Sequence, residues 1–281
     1  MTARTTSLAI RPLASEADFA ACMALQYETW GPDFGEAVPP AMLKITQRLG
    51  GVAAGAFDEH GELLGFVFGL TGVEDGRIVH WSDMLAVRAG VRDAGIGRQL
   101  KAWQRATVRA VGAEVIYWTF DPLVARNAYL NFHGLGARAH EYVRDMYGES
   151  SSELHRGIGT DRLVVAWDIG DAPARGVAAG TRDIPPLHEL PAVNQVTMTS
   201  DGPRSAHPEL GLDASMLRVV IPADIQIVKR RAPALASEWR EVTRSVFESY
   251  LARGYDVLDF VREEEYGEYI LGMSPSVASA Q

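Results

Sequence analysis

The stretch WSDMLAVRAGVRDAGIGRQL, Trp81 to Leu100, decides how the chain is read. Its first half is an apolar strand that ends at Val87. Its second half carries Gly90, Gly95 and Gly97 in a loop that leads into a helix from about Arg98 to Val111. Glycines let successive backbone N–H groups turn inward without Cβ clashes. A helix N-terminus adds unsatisfied N–H groups and the positive end of its dipole. Such a junction builds a cradle for a phosphate or pyrophosphate, with Arg92 and Arg98 supplying charge; it also serves as an ordinary tight turn. No Gly-Lys-Ser/Thr follows, so it is not a P-loop, and GxGxxG is absent. The spacing predicts Arg98, Lys101, Arg105 and Arg109 on one basic helix face, either solvated or gripping phosphate.

Working outward, Leu8-Ala9-Ile10 reads as a short strand stopped by Pro12. Ser15 stands three residues before Asp18, a capping-box pattern, and opens a helix with Phe19, Cys22, Met23, Tyr27 and Trp30 at helical spacing. Pro39-Pro40 starts a second helix. Val52 to Phe57 and Leu63 to Leu70 read as strands joined by Asp58-Glu59-His60-Gly61-Glu62. Ile78 to Val87 is a further strand, and Val115 to Phe120 another. A short helix follows from about Val124 to Leu135. Glu141 to Tyr147 and Leu163 to Ile169 complete the strands of this half. The expected class is α/β: a mixed, mostly antiparallel sheet flanked by helices, with one parallel crossover.

Gly170 to Pro191 shifts to Ala, Gly and Pro, a linker composition. The organisation expected is a domain over residues 1–170, a linker over 171–191 and a C-terminal α+β extension over 192–281. In the extension, Leu217 to Ile221 and Ile225 to Val228 read as strands. Ala234 to Arg253 reads as a helix, and Tyr255 to Val261 with Tyr266 to Leu271 as a hairpin.

Composition bounds the function. The chain has 281 residues, 47% hydrophobic and 22% charged, which supports a buried core. Its 27 Lys+Arg against 36 Asp+Glu give a net charge of -9, so neither nucleic acid nor an anionic membrane is an expected partner. Cys22 alone excludes a disulfide framework or Cys-rich zinc site. The seven histidines form no HExxH and no tight pair, so no metal is expected. No apolar run reaches the ~18 residues of a membrane span, and the N-terminus lacks a signal-peptide pattern. The expected location is cytoplasmic.

Arg92-Asp93-Ala94-Gly95-Ile96-Gly97 fits the Arg/Gln-x-x-Gly-x-Gly/Ala signature of the GCN5-related N-acetyltransferase (GNAT) superfamily. Leu85-Ala86-Val87 precedes it on a strand, a helix follows, and the element order from Leu8 to Ile169 resembles that fold. The chain looks most like a bacterial branch with the same C-terminal extension, on the stretches HWSDMLAV (80–87), WTFDPLVARNA (118–128), GTDRLVV (159–165), IPADI (221–225) and EWREVTR (238–244).

The resemblance implies acyl transfer from acetyl-CoA, or another acyl-CoA such as succinyl-CoA, to an amine of a small molecule. It places the pyrophosphate on the backbone of Arg92, Asp93, Ala94, Gly95, Ile96, Gly97 and Arg98. It lays the pantetheine arm along Leu85, Ala86 and Val87, and matches Asn127 to an Asn that bonds that arm. A splay between this strand and Val115–Phe120 would open the cleft, and a strand N–H near Leu85 would polarise the thioester carbonyl.

The acceptor amine attacks directly, and no GxSxG elbow is present. It must lose a proton, so a base or water chain is needed. Strand alternation sets His80 and Asp83 on opposite faces, with Asp83 sharing the face of Leu85 and Val87. Asp83 is the candidate base, with a hydrogen-bonding structural role as the alternative; for His80 a structural role is expected. Many members carry a tyrosine four residues before Gly-Phe as acid to the thiolate. Here that position is Phe132, so Tyr129, His133 or solvent would serve. Arg162 pairs within its loop or meets an anionic group. Two other readings stay open: a non-catalytic acyl-CoA-binding or regulatory protein, and an interaction module whose exposed strand edge in the extension makes a homodimer.

Overall fold

The structure, a computed structural model, describes residues 8–92, 94–148, 157–170 and 184–273. The chain divides into two compact units. The first holds described residues 8–118 and 168–170, and the second holds 119–148, 157–167 and 184–273.

In the first unit, β1 (Ala9–Pro12), β2 (Val52–Phe57), β3 (Leu63–Glu74) and β4 (Arg77–Val87) pair antiparallel in that order, and β5 (from Val115) joins β4 in parallel. The result is the mixed, mostly antiparallel sheet flanked by helices that the pattern implied. Helices α1 (Glu16–Trp30) and α2 (Pro40–Arg48) cover one face, and α3 (Ile96–Ala110) packs on β2, β3 and β4. Every residue of β2 is buried, as a strand covered on both sides requires. Phe19, Cys22, Leu25, Leu43, Phe66 and Phe68 form the core under α1 and α2.

The start of α1 follows from sequence. Asp18 N–H donates to Ser15 Oγ (3.1 Å) and Ser15 N–H returns to Asp18 Oδ2 (3.1 Å), a complete capping box. Arg11 reaches the same carboxylate with two hydrogen bonds and holds it well below the usual carboxylate range.

In the second unit, α4 (Ala125–Ala128) runs into a π-helical turn over Tyr129–Gly134, where one continuous short helix was expected. Strand β6 (Arg138–Val143) pairs antiparallel with β7 (Arg162–Asp168). A small hairpin of β8 (Val196–Thr199) and β9 (Gly202–Ser205) follows. Then come β10 (Met216–Pro222), α5 (Ile225–Arg231), α6 (Pro233–Ala252), β11 (Tyr255–Arg262) and β12 (Tyr266–Met273), with sheet order β10-β12-β11. This is the smaller α+β piece. Ile225 to Val228, read as a strand from its alternation, is instead the start of α5. Asp224 caps it by accepting from the N–H groups of Gln226 and Ile227. The cap outweighs the β-branched run.

Helix α6 buries Trp239, Thr243, Val246, Phe247 and Tyr250. Phe247 and Phe260 meet the buried Tyr269 ring edge-on, at 5.0 and 4.6 Å, and Tyr269 donates to Pro122 O at 2.6 Å. The linker composition falls largely on residues 171–183, outside the described residues. Among the described residues no helix is long and apolar enough to cross a membrane.

Candidate functional site

The site is built on a flaw in β4. Phe68 pairs with Met84, but the next residue, Gly69, pairs with Ser82, leaving Asp83 as the extra residue of a β-bulge. Val87 lies on the α3 side, where a Cβ at its partner Gly65 would meet Val87 and Leu100 of α3. Met84 and Ala86 lie in the core under α1 and α2. His80 and Ser82, before the bulge, bond to α3. The bulge therefore reverses the alternation. Asp83 does not share a face with Leu85 and Val87, as uninterrupted alternation would require; it stands toward Glu36 of the α1–α2 connection.

The parallel pairing of β4 with β5 covers Val79–Trp81 against Val115–Tyr117. Past the rung Trp81–Tyr117 the two strands make no further pairing among the described residues. From Ser82 to Val87, β4 keeps its ladder to β3 on one side, and among the described residues its other edge carries no rung to β5. Leu85 and Val87 are half-buried and Ala86 is buried.

Beyond Val87 the chain turns through a 3-10 turn at Ala89–Val91 and enters α3. Gly95 is the residue before α3, with φ of 76°, and among the described residues no side chain caps the helix. A left-handed backbone favours glycine there. The first amides of α3, on Ile96, Gly97 and Arg98, have no intrahelical acceptor. Ala94 and Arg98 are exposed, while Arg92 Nε folds back onto Val87 O at 3.1 Å. Asp93 lies outside the described residues. Arg98, Arg105 and Arg109 are exposed, but Lys101 is not among them. It sits on the border of the buried stripe of Leu100, Gln104 and Val108 and turns under the sheet, so the four-cation face is reduced to three arginines.

Lys101 is 3% exposed. Its Nζ donates to Ser82 Oγ at 2.8 Å and lies 3.9 Å from the centre of the Trp118 ring. Burial drives its pKa well below the ordinary lysine value. Beside it, His80 is fully buried. Thr71 Oγ1 donates to Gly50 O (2.8 Å), so at 2.9 Å it accepts from His80 Nδ1–H. His80 Nε2 then accepts from Gln104 Nε2 at 3.0 Å. Burial, then the nearby Lys101 charge, lowers the imidazole to about 3. His80 is thus a neutral structural group.

Asp83 is exposed to solvent yet surrounded by enough protein to lose hydration. Desolvation first, and the Glu36 charge second, raise its carboxyl above the ordinary value. A carboxyl raised in this way suits proton abstraction. Sequence reading missed Glu36, because no motif links the α1–α2 connection to β4.

The other expected residues belong to the second unit. Asn127 lies on α4 and is half-buried. Tyr129 opens the π-helical turn, 37% exposed, with its ring stacked on His133 at 4.7 Å. Phe132 is buried against Phe120 and Tyr269. Arg162 is buried, donates to Asp161 O, and lies over the Tyr147 ring. Asp121 pairs with the equally buried Arg240 at 2.7 Å. Among the described residues no group of three or more His, Cys, Asp or Glu is arranged to hold a metal ion.

No protein-family model matches the chain, and no curated protein matches it. Several solved structures are similar. The ribosomal-protein-S18-alanine N-acetyltransferase from Escherichia coli shares 17% identity over 59% of this chain and 97% of its own, with a TM-score of 0.44. The protein yncA from Salmonella typhimurium, solved with its cofactor acetyl-CoA, shares 19% over 60% and 98%, at 0.47. An acetyltransferase of the GNAT family from Streptococcus pneumoniae shares 17% over 58% and 100%, at 0.46.

Proposed function

We propose that the chain is a CoA-dependent N-acyltransferase that moves an acetyl group from acetyl-CoA to an amine of a small molecule. One observation carries the reading: the edge of β4 from Ser82 to Val87, without a rung to β5 among the described residues, is followed within ten residues by the N-terminus of α3, which no described side chain caps. A diphosphate suits the amides of Ile96, Gly97 and Arg98, with the Arg98 guanidinium in reach. An extended amide-bearing arm suits the strand edge vacated by β5. In this reading residues 1–170 carry the chemistry and residues 192–281 extend it.

This chain's residues then divide the work. Main-chain N–H groups near Leu85 meet the thioester oxygen, where negative charge grows during attack. Asp83 takes the proton that the attacking nitrogen loses. The C–N bond forms, the C–S bond breaks with its electron pair going to sulfur, and the sulfur leaves as a thiolate that must then take up a proton. Larger acyl groups such as succinyl follow the same course.

The second reading, an acyl-CoA-binding protein without turnover, is favoured by Phe132, which has no proton to give. Calorimetry with CoA and thiol release from acetyl-CoA and succinyl-CoA against an amine panel separate the two. Gly97→Glu puts a carboxylate at the proposed diphosphate site while suiting the helix dipole, so the fold is expected to survive and affinity to fall at least 100-fold. Unchanged affinity overturns the loop assignment.

A further inference from the structure

The last rung between β4 and β5 is Trp81–Tyr117. The next residue on each strand, Ser82 and Trp118, touches the same group: Ser82 Oγ accepts from Lys101 Nζ at 2.8 Å, and the Trp118 ring lies 3.9 Å from it. Lys101 therefore stands just past the last rung, on the α3 side of the sheet. A 3%-exposed ammonium with one oxygen partner is an expensive thing to bury. Packing alone would be served as well by methionine. Among the described residues it meets no carboxylate; an aromatic face and one hydroxyl leave two of its three N–H bonds unspent.

The direction of the β4 edge matters. If the diphosphate sits at the start of α3, next to the end of β4, an arm laid on the free edge runs back from Val87 toward Ser82. Five residues of strand span about 17 Å. The reactive end of the arm then arrives near the last rung, beside Lys101. Asp83, turned out by the bulge, works from the other side of the same strand.

We propose that Lys101 is the proton donor to the leaving sulfur, the role for which Phe132 is unfit; this rests on the CoA reading above. As the C–S bond breaks, the electron pair goes to sulfur, an Nζ–H bond breaks and an S–H bond forms. The free amine regains its proton from solvent between turnovers. Burial makes the ammonium a readier donor than an exposed lysine and leaves less of the chain in that form as pH rises, so thiol release should fall as pH passes upward through the lowered Lys101 pKa. The charged and titratable neighbour on β4 is His80, itself neutral, and β5 contributes the Trp118 ring.

The test begins with CoA binding and thiol release by the wild-type chain. Lys101→Met keeps the volume without the proton. It is expected to bind CoA within threefold of wild type and to lose thiol release by about 100- to 1,000-fold. Lys101→Ala is then assayed with trimethylamine, whose ammonium form carries one proton, fills about the space removed, and gives no stable acylated product. Saturable recovery of rate supports the proposal. Wild-type-like turnover by Lys101→Met overturns it. So does loss of affinity in step with rate, or no response of Lys101→Ala to trimethylamine; either makes Lys101 part of the packing alone. A wild-type chain that binds CoA but releases no thiol overturns the proton-donor role and leaves the binding reading standing. A chain that does not bind CoA overturns both.

Discussion

Glu36 and Asp83 face one another electrostatically across the bulge, and the charge on Glu36 helps to hold the Asp83 carboxyl above its ordinary value. A base acts only when ionised, so turnover should rise as pH passes upward through that raised pKa. Glu36→Gln removes the repulsion, lowers the Asp83 pKa and should move the acidic limb of the kcat profile to lower pH. Asp83→Asn should cut kcat by about 100- to 10,000-fold and leave CoA affinity unchanged. Rate profiles from pH 4 to 9 for both variants check the pair. Unshifted limbs would separate Glu36 from the chemistry.

His80 should mark the acid sensitivity of the first unit. Its folded pKa is about 3 against 6.5 unfolded. The unfolded chain binds the proton first, so the stability from burying neutral His80 is complete above about 6.5 and is lost as pH falls toward 3. Between pH 6.5 and 4.5 that is about 2–3 kcal/mol. Urea unfolding of wild type and His80→Gln across this range should diverge by that amount. Gly69 guards the same packing, since a Cβ there would lie 2.4 Å from His80 Nε2 and 2.5 Å from Trp81 O. Gly69→Ala should therefore cost about 1–3 kcal/mol.

Much of this was legible before the fold. The capping box at Ser15 and Asp18, the hairpin turn at Asp58–Gly61 and the strand–glycine–helix junction are local, and local chemistry determined each. The bulge is not local. It arises because Phe68 and Gly69 pair out of step with Met84 and Ser82, a relation between two strands that alternation along one strand cannot express. The same limit hid Glu36. Lys101 was misread because helical spacing sorts residues by angle. A long side chain on the border of the apolar stripe is free to turn either way. Only Ser82 and Trp118, supplied by the sheet, turned it inward.

Asp121 and Arg240 should set the stability of the second unit. Both are buried, 2.7 Å apart, and Arg240 Nε also donates to Ile158 O. The guanidinium holds Asp121 below the usual carboxylate range against the opposing effect of burial. Asp121→Ala leaves a buried cation uncompensated and should cost about 3–5 kcal/mol. Asp121→Leu combined with Arg240→Met should recover most of the loss. Thermal unfolding of the single and double variants measures the coupling; additive losses would mean that the two groups do not act as a pair.

Lys101 gives a prediction that does not depend on any ligand. Burial lowers its pKa in the folded chain, whereas the unfolded chain keeps the ordinary lysine value near 10.4. Between those values the unfolded chain binds the additional proton. Wild-type stability should therefore rise with pH through this interval and level off only above the unfolded pKa. Lys101→Met has no such group. At pH 7 it should be the more stable protein, and its advantage should shrink steadily as pH is raised toward 10, because the penalty it escapes is the cost of deprotonating or burying an ammonium. Urea unfolding of both chains at pH 7, 8.5 and 10 reads the difference directly. A gap that stays constant over this range would mean that Lys101 binds its proton equally in both states, and that the Ser82 hydroxyl and Trp118 ring stabilise a full charge without help from water.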